Sequence, residues 1–159
     1  MGTTPKYRLR SRTTRIIIHD SHTHLPWGPA QIDEDTLKKG LITPGYHMVF
    51  PREGGRIAYR PIDCIGAHTP GHNDDSIGIC WEGGRDDRGR AVENITLHQR
   101  KDMLRFCADM MDLYGKTLRV EGHSEVQRFR DLTAPKCPQM DMDLFRQDLE
   151  DYQRAGTYG

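Results

Sequence analysis

The segment Arg15-Ile16-Ile17-Ile18-His19-Asp20 constrains this chain more than any other. Three successive β-branched residues are stiff at χ1 and suit a pleated backbone, so the run predicts a buried strand. Ser76–Trp81 reads as a second strand, ended by Gly83-Gly84, and residues 118–122 as a third. Residues 46–51 and 56–60 flank Arg52-Glu53-Gly54-Gly55, a hairpin signal. Helical signals fall between these strands. Thr96-Leu97-His98-Gln99 is a capping box, in which Thr96 caps the helix and Gln99 reaches back to it. The helix is predicted to bury Leu97, Met103, Leu104, Cys107, Met110, Met111 and Tyr114 before Gly115 stops it. Residues 33–39, with Gly40 after them, form a short helix candidate. A closing helix starts at Asp141, with Phe145, Leu149 and Tyr152 on one side. Interleaved strands and helices predict an α/β domain with a central mixed β-sheet flanked by helices.

A chain of 159 residues fits one domain that buries about two-thirds of its unfolded surface. Residues 1–13 lack apolar periodicity and are expected to form a basic, flexible arm; 14–154 form the domain and 155–159 a flexible tail. Lys plus Arg and Asp plus Glu both number 23, so no strong overall field marks a nucleic-acid partner. Charge is nevertheless uneven. Lys6, Arg8, Arg10, Arg12 and Arg15 make the start basic, whereas residues 141–151 are acid-rich. The basic stretch reads as a solvated tail or edge strand; attraction to an anionic envelope polymer is the alternative. Three consecutive isoleucines fall short of the roughly 7–15 apolar residues of a signal-peptide core. No stretch approaches the ~18 apolar residues of a membrane span. Synthesis in a cytosol is therefore expected, with Cys64, Cys80, Cys107 and Cys137 as reduced thiols or metal ligands. The first three lie among apolar residues and read as small core residues.

Cys137 differs, because it sits in the loop-like Pro135-Lys136-Cys137-Pro138 before a helix. His19 closes the isoleucine strand, and His123 follows the strand-like Leu118-Arg119-Val120-Glu121-Gly122. Two imidazoles and one thiolate suit Zn²⁺ and leave the fourth tetrahedral position to water, the arrangement of a catalytic site. A competing signature is Asp20-Ser21-His22-Thr23-His24, which matches the Asp-x-His-x-His pattern of metal-dependent amidohydrolases. Those enzymes use a barrel of more than ~200 residues, which this chain cannot build. His22 and His24 are accordingly expected as loop residues beside the site.

The ordered series Ile17-Ile18-His19-Asp20-Ser21, Gly45-Tyr46-His47, Gly66-Ala67-His68 with Asn73, Ser76-Ile77-Gly78-Ile79, Gly122-His123-Ser124-Glu125-Val126, and Cys137-Pro138 with Asp141 carries a resemblance. It resembles the zinc-dependent N-acetylmuramoyl-L-alanine amidases of the peptidoglycan-recognition-protein superfamily, especially the small bacteriophage lysozyme-type amidases. The resemblance spans roughly residues 14–150. It implies an amidase-like fold and hydrolysis of the amide between N-acetylmuramic acid and L-alanine of the peptidoglycan stem peptide. His19, His123 and Cys137 would be the zinc ligands, and Tyr46 the donor to the tetrahedral oxyanion. Lys136 would be a catalytic lysine, although family members place theirs two residues before the cysteine, where this chain has Pro135. His68 and Asn73 would line the substrate groove, and Asp20 would orient an imidazole or act as a turn residue. The implied biology is a monomeric phage endolysin, made in the infected cell's cytoplasm and acting on the wall after release. Two alternatives are a non-catalytic peptidoglycan-binding module of the same fold and a cytosolic cell-wall recycling amidase. Cys137 and Tyr46 favour the endolysin.

Overall fold

The structure is a computed structural model and describes residues 7–23, 44–127 and 135–156. Among them the elements run β1 (Arg15–Asp20), β2 (Met48–Phe50), β3 (Ile57–Ala58), a 3₁₀ turn (Asn73–Asp75) and β4 (Ser76–Trp81). Then follow α1 (Leu97–Tyr114), β5 (Arg119–Gly122), α2 (His123–Val126) and α3 (Met142–Gly156). The strands form one sheet in the order β3-β2-β4-β1-β5. β1 lies parallel to both β4 and β5, β2 is parallel to β4, and β2 with β3 makes an antiparallel hairpin. The mixed α/β sheet expected from the sequence is thus present, and β1 is flanked on both sides.

Strand alternation divides the sheet into two chemically distinct faces. Ile16, Ile18, Ile77, Ile79, Trp81, Met48, Phe50 and Val120 pack with Met103, Leu104, Phe106 and Cys107 of α1 and with Phe145 and Leu149 of α3. Each such fully buried large side chain contributes about 1.5–3 kcal/mol. Phe50 and Phe106 meet edge to face at 5.8 Å, and Arg100 of α1 pairs with Asp148 of α3 at 2.6 Å while covering the Phe145 ring. The opposite face carries Ile17 and Val49 but is otherwise small or polar: Ser76, Gly78 and Cys80 on β4, and His19 on β1. That face carries the site.

The Thr96 capping box is observed in both directions, with Gln99 N–H on Thr96 Oγ1 at 3.1 Å and Thr96 N–H on Gln99 Oε1 at 2.9 Å. Gln99 goes further than a cap. It is fully buried, and its Nε2 donates to the carbonyls of Phe50 and Glu82, both at 2.9 Å, so the helix start is tied to β2 and β4.

Several expected boundaries contract. The hairpin ladder keeps only 48–50 and 57–58, because the loop bonds Gly54 N–H to Pro51 and Gly55 N–H to Asp102 instead of extending the pairing. Leu97, expected in the core, is 68% exposed at the first position of α1, and Phe106 fills the core instead. Tyr152 is exposed on α3. Residues 7–13 are laid against the domain. Leu9 bridges Cys64, and Arg10 donates to the carbonyls of Cys64 and Ile62 at 2.8 and 2.7 Å. Arg15 lies between Asp75 and Glu121. The helix expected over 33–39 lies outside the described residues.

Candidate metal centre and active site

His19 is the penultimate residue of β1, because the strand that supplies the three core isoleucines runs directly out to the polar end of the sheet. β5 runs parallel beside it and delivers His123 as the first residue of α2. Glu125 holds that turn by accepting from Gly122 N–H at 2.9 Å. Arg146 in turn grips Glu125 through two bonds of 2.8 and 2.9 Å, and this keeps its carboxyl below the ordinary glutamate range. Cys137 comes from the loop before α3. Its N–H donates to Ser124 Oγ and its carbonyl accepts from Ser124 N–H, both at 2.8 Å, so the loop is paired to α2.

These three segments bring one donor atom each from His19, His123 and Cys137 within 4.8 Å of one another. The Cys137 sulfur lies 3.9 Å from His19 Nδ1. His19 and Cys137 are buried and His123 is partly exposed, which leaves one side of the group accessible. Two imidazoles and a thiol at this spacing fit a tetrahedral divalent ion with one position open. A second group, Asp20, His22 and Cys137, also converges among the described residues. Both Asp20 oxygens already accept backbone N–H groups, from His22 at 2.9 Å and from Gln139 at 2.7 Å, so this carboxylate is committed to the loop. His22 adopts a left-handed backbone (φ 55°), and its Nδ1 meets Arg85 at 2.9 Å. It thus stands beside the first group rather than in it; His24 lies outside the described residues.

Tyr46 precedes β2, its ring 5.2 Å from that of His19. Burial, then the neighbouring Cys80 and Cys137, push its phenol well above the usual tyrosine range, so it stays protonated as a donor. Cys80 beneath it is raised by burial as well, and its thiol is paired with the Tyr46 hydroxyl. Lys136 is exposed next to Cys137, and its carbonyl accepts from Gln139 Nε2.

His68, expected with Asn73 to line a substrate groove, is buried, whereas Asn73 is partly exposed. His68 is 8% exposed and sits behind His19, its Nδ1 3.1 Å from His19 Nε2. The sheet admits it there because residue 78 is glycine: a Cβ on Gly78 would lie 2.3 Å from the His68 ring. Burial, and then His47 and His123, hold the His68 imidazole well below its ordinary range, which makes it neutral. Asn73 Oδ1 accepts from the backbone N–H of His68 and Thr69 at 3.0 and 2.9 Å. The physical reason is packing: a histidine whose strand neighbour lacks a side chain drops into the sheet face instead of standing over it.

Residues that sequence reasoning passed over complete this layer. His47 is fully buried, accepts from Gly78 N–H at 2.9 Å, and donates to Cys64 carbonyl at 2.7 Å. Burial lowers its pKa to about 4. Gln127, one helical turn after His123, contacts that imidazole directly. Its i+4 spacing from a proposed ligand was the signal available in the sequence.

Residues 9–139 match the N-acetylmuramoyl-L-alanine amidase family. The chain is 32% identical over 141 residues to the endolysin of Escherichia phage T7, a match covering 86% of this chain and 87% of that one. It is 31% identical over 141 residues to the endolysin of Enterobacteria phage T3, with the same coverage. Its fold is that of the endolysin amidase LysCS from Clostridium intestinale, with a TM-score of 0.73, 22% identity and coverage of 94% and 93%. Drosophila PGRP-LB shares the fold at a TM-score of 0.63, 23% identity and coverage of 84% and 78%. The chain belongs to the N-acetylmuramoyl-L-alanine amidase family and carries that family's activity.

Proposed function

We propose that this amidase is a zinc enzyme that cuts the muramyl–L-alanine bond of peptidoglycan as a monomeric phage endolysin, acting on the wall after release from the cytoplasm. The observation that carries the reading is the convergence of His19, His123 and Cys137 from three separate segments onto one partly open position. Zinc held there would supply Lewis-acid polarisation and a bound water whose pKa is lowered to about 7.

The chain's own residues do the rest. His19 and His123 bind as neutral imidazoles and Cys137 as a thiolate. Tyr46 keeps its proton and stands against His19, so its hydroxyl is the donor for oxygen charge that develops on the attacked carbonyl. To do so it exchanges its bond to the Cys80 thiol for one to substrate. Lys136, exposed beside Cys137, adds a positive charge at the mouth of the site. Among the described residues no helix is long and apolar enough to cross a membrane, in keeping with an enzyme that others must release.

The test combines metal analysis with mass spectrometry of products from purified sacculi. Wild-type protein is expected to hold one zinc and to free stem peptides that begin with an unblocked L-alanine. Cys137→Ala should lose both metal and activity, because an incomplete ligand set collapses affinity. Full zinc occupancy in that variant would overturn the site.

A further inference from the structure

An imidazole can offer either ring nitrogen to a metal, and the hydrogen bond made by the other nitrogen decides which. Both histidines of the site have that second bond. Gln127 Nε2 donates to the Pro70 carbonyl at 2.9 Å, which turns its Oε1 toward His123 Nε2. An amide oxygen only accepts, so His123 carries its proton on Nε2 and keeps the Nδ1 lone pair.

The proton order at His19 follows from a longer chain. Ser76 Oγ donates to the His72 carbonyl at 2.7 Å, so its oxygen accepts from His68 Nε2 at 3.3 Å. With its proton on Nε2, His68 accepts at Nδ1 from His19 Nε2 at 3.1 Å. Thr69 Oγ1, 3.2 Å from the same nitrogen, is a second acceptor. His19 therefore also keeps its lone pair on Nδ1, the atom nearest the Cys137 sulfur.

Both chains end in one loop. His68 and Thr69 reach His19, and Pro70 reaches His123 through Gln127. Asn73 Oδ1 pins the start of that loop through two backbone N–H groups. We propose that loop 66–73 is a positioning device for both imidazole ligands, with His68 and Gln127 as positioning residues that fix the Nε2–H tautomers and aim both Nδ1 atoms at the metal. The proposal rests on the zinc reading above. It reassigns His68 and Asn73 from the substrate to the support of the ligands.

The experiment uses the full chain loaded with zinc. ¹⁵N-histidine NMR reads the tautomers, competition with a chromophoric chelator reads zinc affinity, and circular dichroism reads the fold. Wild type is expected to show His19 and His123 as Nε2–H with Nδ1 metal-bound. Gln127→Ala and His68→Ala should each weaken zinc binding about 10–100-fold with unchanged secondary structure. Gln127→Glu retains the acceptor for His123 but sets a carboxylate oxygen against the Pro70 carbonyl, so it should recover only part of the loss; His68→Asn, whose Oδ1 replaces Nδ1, should recover most of it. Gln127 is partly exposed at the end of a short helix, so its variants carry the test even where His68→Ala does not fold. Wild type that binds zinc through Nε2, or alanine variants with wild-type affinity, would overturn the proposal while leaving the zinc reading intact. Wild type that binds no zinc would overturn both.

Discussion

Replacing Asp20 by asparagine tests how the Cys137 loop is held to β1. The side chain is fully buried, and its two oxygens accept from His22 N–H at 2.9 Å and from Gln139 N–H at 2.7 Å. An amide has one acceptor oxygen and one NH₂. Whichever way the new amide turned, its NH₂ would face one of those backbone donors, and the remaining bond would lose its ionic character. Rotation away is blocked by Gly84, which packs so closely that a Cβ there would lie 2.5 Å from the carboxyl carbon. A charge-assisted bond contributes about 1.5–3 kcal/mol and an orphaned buried donor costs about 1–3 kcal/mol. The two losses overlap, so about 2–4 kcal/mol is expected. For a chain of this length that lowers Tm by roughly 4–16 °C. Gln139 lies two residues past Cys137, so zinc affinity should fall with stability. Urea unfolding followed by circular dichroism, with zinc competition alongside, measures both. A variant within about 0.5 kcal/mol of wild type, the range of a neutral surface change, would refute this account of the loop.

Tyr46→Phe should keep fold and metal while reducing kcat on sacculi by on the order of 10²–10³, the usual cost of one oxyanion donor; turnover within about twofold of wild type would remove Tyr46 from the mechanism. Burial raises the pKa of Glu82 to about 7, and one of its oxygens has no partner among the described residues. Since the folded value lies above the unfolded one, the protonated carboxyl's contribution is fully present below about pH 4.5 and is lost as pH rises through about 7. Glu82→Gln should therefore match wild type near pH 4.5 and exceed it by up to about 3 kcal/mol above pH 7; parallel stability–pH curves would contradict this. His22→Ala should retain one zinc per chain, since Asp20 and Arg85, not the metal group, hold this side chain; metal loss on dialysis would make His22 a ligand.

Much of the fold was legible because its signals are local. The isoleucine run, the Ser-Ile-Gly-Ile strand and the Thr96–Gln99 box each determine a backbone conformation through neighbours a few residues away, and each is observed. Residue chemistry also pointed to His19, His123 and Cys137, since few side chains ligate a soft divalent ion. Leu97 was misplaced because helical periodicity does not reveal which end of a stripe overhangs the core. The burial of His68 was decided only in three dimensions. Nothing in Gly66-Ala67-His68 says whether the ring stands over the sheet or sinks into it; that depends on Gly78, brought opposite by β4. Asp20 likewise ties down Gln139, 119 positions away in sequence. Sequence alone determined the main elements and the candidate ligands. The parallel register of β1 with β4 and β5 decided which atoms meet, because hydrogen bonds between distant segments exist only once the sheet has closed.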